Sequence, residues 1–317
     1  MSEDEVFVFI GCTIVSLFTW LPWLWHGAFT ARRCSRFGDR WGLFVFPLLS
    51  AAVLAAVLRL YSSWDVQSNP VYIGFYLVMG AAWVGFSSRF LGYFGLSARD
   101  DVIERGNTAA AYAIGGALLG ITLCFAGGNI GNGPGWWVVV FCAALSTLAF
   151  FLLWALLHRF TGLADAVTID RDPASGLRLA GYFIGSGLIL GRAVAGDWVS
   201  MQATVVDFAV TAWPVILLWT AAVLMERTFR PTRERPLPSP LTYGLAPLAA
   251  YVALGAFFAA QRRQEGEGAD LDRVEPLGTA EDAQQDVVDH RVGPQKEPAL
   301  IGAAGDFDEG AFLGDEA

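Results

Sequence analysis

Charged side chains inside apolar stretches are where chemistry is expected in this chain, because an ionised group is costly to keep in hydrocarbon. Three positions stand out: Arg59, Arg192 and Asp207. Arg192 and Asp207 flank the short GDWVS connection, so two consecutive helices could bring them together as a polar gate for a small solute or ion. Arg59 and Arg192 are long enough to carry their charged ends to the interface, which explains both without a function. Asp207 is too short for that. It is expected to face the bundle, paired or protonated. Pro214, two turns further on, should kink the same helix because its ring removes a backbone hydrogen bond.

Other chemistries find little support. His26 and His158 have no carboxylate or cysteine partner at metal-ligand spacing. Cys12, Cys34, Cys124 and Cys142 make no CxxC or Cys/His cluster and read as small buried side chains. No GxSxG, HExxH, Walker loop or suitably placed GxGxxG occurs, so neither catalysis nor a metal or cofactor site is expected.

The elements that would position these residues include a duplicated unit. Sliding the chain by 70 residues lays Ser88–Gly120 on His158–Leu190 without a gap, and ten of the 33 positions are identical. Fixed-offset self-similarity marks a repeated structural unit, here an apolar span, a charged loop and a Gly-rich span. Two spans per unit make the copies parallel, related by an axis along the membrane normal. Gly116 and Gly120 in the first copy, and Gly181/Gly185 and Gly187/Gly191 in the second, are GxxxG pairs. Such spacing suits close packing between the two copies, or a backbone-lined path at their seam. Asn107 is expected to cap the first Gly-rich helix, with Glu104 favoured at the positive helix end. In the second copy Ser175 is expected to cap instead.

At 55% hydrophobic and 16% charged, the 317-residue chain is too apolar for an ordinary soluble domain. Eight segments are long enough to cross a bilayer: Val6–Phe29, Gly42–Tyr61, Val71–Phe94, Thr108–Gly127, Trp136–Leu157, Leu177–Ala195, Gln202–Met225 and Tyr243–Ala260. Alternate loops carry arginine (Arg32, Arg33, Arg36 and Arg40; Arg89, Arg99 and Arg105; Arg159 and Arg171; Arg227, Arg230, Arg233 and Arg235), while WDVQSNP, GNIGNGPG and GDWVS carry none. Arg-rich short loops stay in the cytoplasm, which gives an N-out, C-out topology. Trp20, Trp23, Trp25, Trp41, Trp64, Trp136, Trp137 and Trp198 lie near span ends, as an interfacial belt requires. The acidic MSEDE start is unlike a cleaved secretory signal, so the first span is expected to remain.

The expected architecture is an all-α polytopic membrane protein of about eight transmembrane helices. Residues 1–70 form two spans, 71–200 the tandem repeat (71–130 and 136–200), 201–260 two further spans, and 261–317 a disordered acidic tail. The tail holds 15 acids against 5 bases, and the rest of the chain is nearly neutral, so nothing resembles a nucleic-acid binding face. The lipid bilayer is the expected surrounding. The tail and the Arg-rich loops are candidate contact surfaces for protein partners, and the Gly-rich faces would serve a homo-oligomer equally well.

The phrase ERGNTAAAYAIGGALLG, behind an apolar span and a charged loop, resembles the bacterial domain-of-unknown-function 350 family, YjfL-like inner-membrane proteins built from tandem two-helix units. Glu104, Gly106, Asn107, Ala109, Ala110, Gly115 and Gly120 carry the resemblance, which covers roughly residues 71–196. It implies an integral inner-membrane protein linked to the envelope, with no catalytic residue to transfer. Two functions follow: a non-enzymatic envelope or stress-associated component, or a transporter or channel using the repeat interface with Asp207 and Arg192. A transporter needs polar groups near the midplane, whereas these charges cluster toward the outer side and the Gly-rich pair is bare of carboxylates, so the first is preferred.

Overall fold

The computed structural model describes residues 1–26, 28, 41–230 and 239–273, with the backbone alone at 41–43 and 262–273. Helix α1 (Glu3–Trp25) starts from a capping box between Ser2 and Glu5, and α2 is Trp41–Tyr61. The short α3 (Trp64–Ser68) leads to α4 (Pro70–Ser88), where Asn69 caps and Pro70 occupies the first turn, a position that needs no N–H. A 3-10 segment, Arg89–Phe94, and a π turn, Ala98–Glu104, then reach α5 (Thr108–Gly127). Next come α6 (Trp136–Thr161), the short α7 (Leu163–Thr168) and α8 (Pro173–Ala193). The last helices are α9 (Met201–Thr211), α10 (Pro214–Phe229) and α11 (Ala246–Arg273). No strand occurs among the described residues.

The bundle is built around α5 and α8. Ala109 meets Gly176, Gly116 meets Ala180, Gly120 meets Phe183 and Gly187, and Gly127 meets Gly191. Both sequences advance together, so the two helices are parallel. A Cβ added at Gly187 would lie 2.6 Å from the Gly120 carbonyl, an approach only glycine permits. Phe150, Trp154 and Phe183 fill the space beside this pair, with ring centroids 5.0–5.2 Å apart for the contacts to Phe183. Outer helices turn large apolar groups outward: Phe18 is 76% and Leu148 69% exposed. In water such surface would be a liability; against acyl chains it is the required exterior.

Six helical segments are long and apolar enough to cross a membrane: Glu3–Trp25, Phe44–Tyr61, Pro70–Phe94, Thr108–Gly127, Trp136–Thr161 and Leu241–Gln261. Met201–Thr211 and Pro214–Phe229 make a seventh if taken as one span, bent by 43° at the break before Pro214. The remaining expected span lies in α8, which falls outside that set. Arg178 and a run of Gly, Ser and Tyr dilute its apolarity, and its neighbours bury it instead.

Two expectations are corrected. Asp172, not Ser175, caps α8, accepting from the Ala174 and Ser175 amides at 3.2 and 2.9 Å. The chain also stays helical past Gln261 to Arg273. It divides into two compact units, Met1–Glu265 and Gly266–Ala317, and helical backbone to Arg273 is what is described of the second. The rest of the acidic tail, Cys34, the loop arginines Arg32, Arg33, Arg36, Arg40, Arg233 and Arg235, and the Trp41 side chain lie outside the described residues.

Candidate functional site

The N-terminal turns of α8 hold a fully buried charge cluster. Asp172 caps the helix and also accepts from the Ser175 hydroxyl at 2.7 Å. One turn on, the Arg178 guanidinium forks onto Glu226 of α10: Nε donates to one carboxylate oxygen and Nη2 to the other, the latter at 3.0 Å. Nη2 also donates to Ser175 Oγ at 2.9 Å, and Nη1 to the Tyr243 carbonyl at 2.7 Å. Asp172 Oδ2 lies 4.0 Å from Nη2. These four side chains are at most 3% exposed. Two carboxylates around one guanidinium leave the cluster with a formal charge of −1. A buried charge that loses its partner typically costs about 3–5 kcal/mol, so the two-pronged hydrogen bonding between Arg178 and Glu226 is what offsets their burial.

The polar face continues along α8. Ser175, Arg178, Tyr182 and Ser186 are spaced three, four and four residues apart, which sets them on one side of the helix. Tyr182 neighbours Ser186 and the Tyr251 hydroxyl of α11 without reaching hydrogen-bond geometry to either, and all three hydroxyls are buried without a protein partner. Gly181 and Gly185 bring α11 against this face, touching Leu248 and Tyr251. Beyond Ile189 on the same face lies a small cavity of about 100 Å³, lined by Arg192, Thr211, Pro214 and Gln261. A buried polar run thus leads from the charge cluster towards a pocket at the other end of α8, interrupted by Ile189.

The residues singled out in the sequence fall elsewhere. Arg192 is half-buried in that end pocket and donates to the Ala195 carbonyl at 3.1 Å. Asp207 is exposed on α9 and lines a separate, larger cavity. The expected Arg192–Asp207 pair is absent from the ion pairs of the described residues, and Asp207 does not face the bundle core. The connecting loop explains why. Gly196 and Trp198 donate their amides to the Ile130 and Asn132 carbonyls at 3.0 and 2.8 Å, which ties the start of α9 to the loop after α5. Arg59 is exposed in the last turn of α2.

Among the repeat-motif residues, Asn107 caps α5 by accepting from Ala110, and its amide reaches the Val167 carbonyl at 2.8 Å, joining the corresponding segments of the two copies. Glu104 is exposed and paired with Arg99 at 3.2 Å. Gly106 takes a positive φ of 60°, which favours glycine before the cap. Gly115 packs on Phe46 of α2. His26 Nδ1 lies 2.5 Å from the Pro22 carbonyl, and His158 sits in the last turn of α6. Among the described residues no three His, Cys, Asp or Glu side chains are grouped to hold a metal ion.

Fold and site together define an all-helical, membrane-embedded bundle with charges held in its core. No family model matches the chain, and neither a similar curated protein nor a similar solved structure is found.

Proposed function

We propose that this protein moves a small solute or ion across a bacterial cytoplasmic membrane, along the polar face of α8 where it meets α10 and α11. The observation that carries the reading is the unpartnered run Tyr182, Ser186 and Tyr251 leading away from the Arg178–Glu226 pair. Buried hydroxyls pair with protein or with water, so a run of them without protein partners is suited to hold water. The sequence-based preference for a non-transporting component rested on charges that cluster toward the outer side of the spans; Arg178 and Glu226 add a buried ion pair at the opposite, Arg-rich end of the bundle.

In this proposal α8 is a crossing helix inside the bundle, giving eight spans with both termini outside. The parallel packing of α5 and α8 supports the tandem two-helix repeat. A second reading, a non-enzymatic envelope or stress-associated component, is favoured by the acidic composition of residues 261–317, which suits a contact surface.

Reconstitution tests the proposal. The full chain in liposomes should pass at least one of protons, Na⁺, K⁺, methylammonium or chloride faster than protein-free vesicles, and Ser186→Leu should abolish that flux. If no member of the panel exceeds the protein-free rate, the transport reading is wrong.

A further inference from the structure

The hydroxyls beside α8 form an ordered series that ends on a carboxylate. Tyr182 neighbours Ser186 one turn on and Tyr251 across on α11, and Tyr251 lies within electrostatic reach of Glu226 and Arg178. Ser186, Tyr182, Tyr251 and Glu226 thus follow one another towards the charge cluster, each at most 4% exposed. The three hydroxyls have no protein partner, and a hydroxyl can accept one proton while donating another.

The cluster decides which species suits this series. Arg178 and Asp172 of α8 and Arg230 at the end of α10 are the charged groups around Glu226. Two guanidinium groups beside the carboxylate oppose the entry of a metal or ammonium ion, and two carboxylates oppose an anion. A proton meets neither objection. It bonds to one Glu226 oxygen and takes the Asp172–Arg178–Glu226 cluster from a formal charge of −1 to zero. Arg178 is not stranded by that step, because Ser175 Oγ and the Tyr243 carbonyl still accept from it and Asp172 stays 4.0 Å away as counter-charge.

We infer that the species moved is the proton, with Ser186, Tyr182 and Tyr251 as its relay and Glu226 as its acceptor. A hydronium ion at the Ser186 end becomes water as its proton passes to the first hydroxyl oxygen. Each hydroxyl then takes a proton as it releases its own, and the last is bonded by Glu226. Release to water on the Arg-rich side breaks that O–H bond and restores the pair with Arg178. The inference deepens the transport reading and rests on it.

Liposomes holding the full-length protein and a trapped pH dye, driven by a K⁺–valinomycin potential, should acidify faster than protein-free vesicles. Na⁺, methylammonium and chloride should move no faster than without protein. Tyr182→Phe and Tyr251→Phe each delete one unpartnered oxygen and should cut proton flux about tenfold or more, as loss of a positioned proton-transfer group does. Their SDS-induced unfolding midpoints should be unchanged or higher, since no hydrogen bond within the protein is lost. Wild-type proton flux in both variants would overturn the inference. So would movement of another ion without protons, a result that needs no variant and leaves the transport reading standing; the absence of every flux would remove that reading and the inference together.

Discussion

Arg178 spends its guanidinium on Glu226, Ser175 and the Tyr243 carbonyl, and no other described side chain is held by so many buried contacts. Glu226→Ala strands that charge and should lower stability by about 3–5 kcal/mol, read as a shift in the SDS-induced unfolding midpoint. Arg178→Met combined with Glu226→Leu removes both charges and should recover most of the loss. A double variant no more stable than the single one would show that the pair itself, rather than the stranded charge, holds the helices together. Neither residue was legible as a core charge. Arg178 is the second residue of an expected span and Glu226 follows the end of another, where charges are ordinarily solvated. Their partnership across 48 residues leaves no periodic trace. Asp207 and Arg192 were visible as charges among apolar neighbours, yet hydropathy carries no information about how the 195–200 loop is tied, and that loop sets which way Asp207 points.

Among the elements, the Gly-rich helices were the most readable. The spacing of Gly116, Gly120, Gly187 and Gly191 announced a close seam, and those residues form it. Gly181 and Gly185 share the motif but serve a different seam, against α11, because one helix can present small residues on two faces and the motif does not name its partner. A Cβ at Gly120 would lie 2.5 Å from the Phe183 carbonyl. Gly120→Leu should therefore separate α5 from α8 and cost about 1–3 kcal/mol or more. Gly74→Ala, with nothing within 4 Å of the new carbon, should be neutral or slightly stabilising in the same unfolding assay. Equal effects at the two positions would deny that the seam is close-packed. Pro214 was equally plain, since a missing amide and a fixed φ favour a break in a helix, and the 43° bend falls there.

For the whole molecule, composition alone established a membrane-embedded helical bundle, with a mean hydropathy of +0.47. The crossing count is less direct, because α8 is shielded by neighbouring helices and can carry Arg178, Tyr182 and Ser186 where a lipid-facing helix could not. The same shielding permits a polar seam, and its hydration is the point on which transport depends. In a background with Cys12, Cys34, Cys124 and Cys142 replaced by alanine, single cysteines would be placed at Ser186, at Leu118 in the dry α5 core and at Val199, which is 80% exposed. Each would then be challenged in membranes with a water-soluble, charged methanethiosulfonate. A working seam predicts that Ser186→Cys reacts as Val199→Cys does, while Leu118→Cys stays unmodified. A Ser186→Cys thiol as inert as Leu118→Cys would mean the seam is closed to water, and the proposed path along α8 would be contradicted.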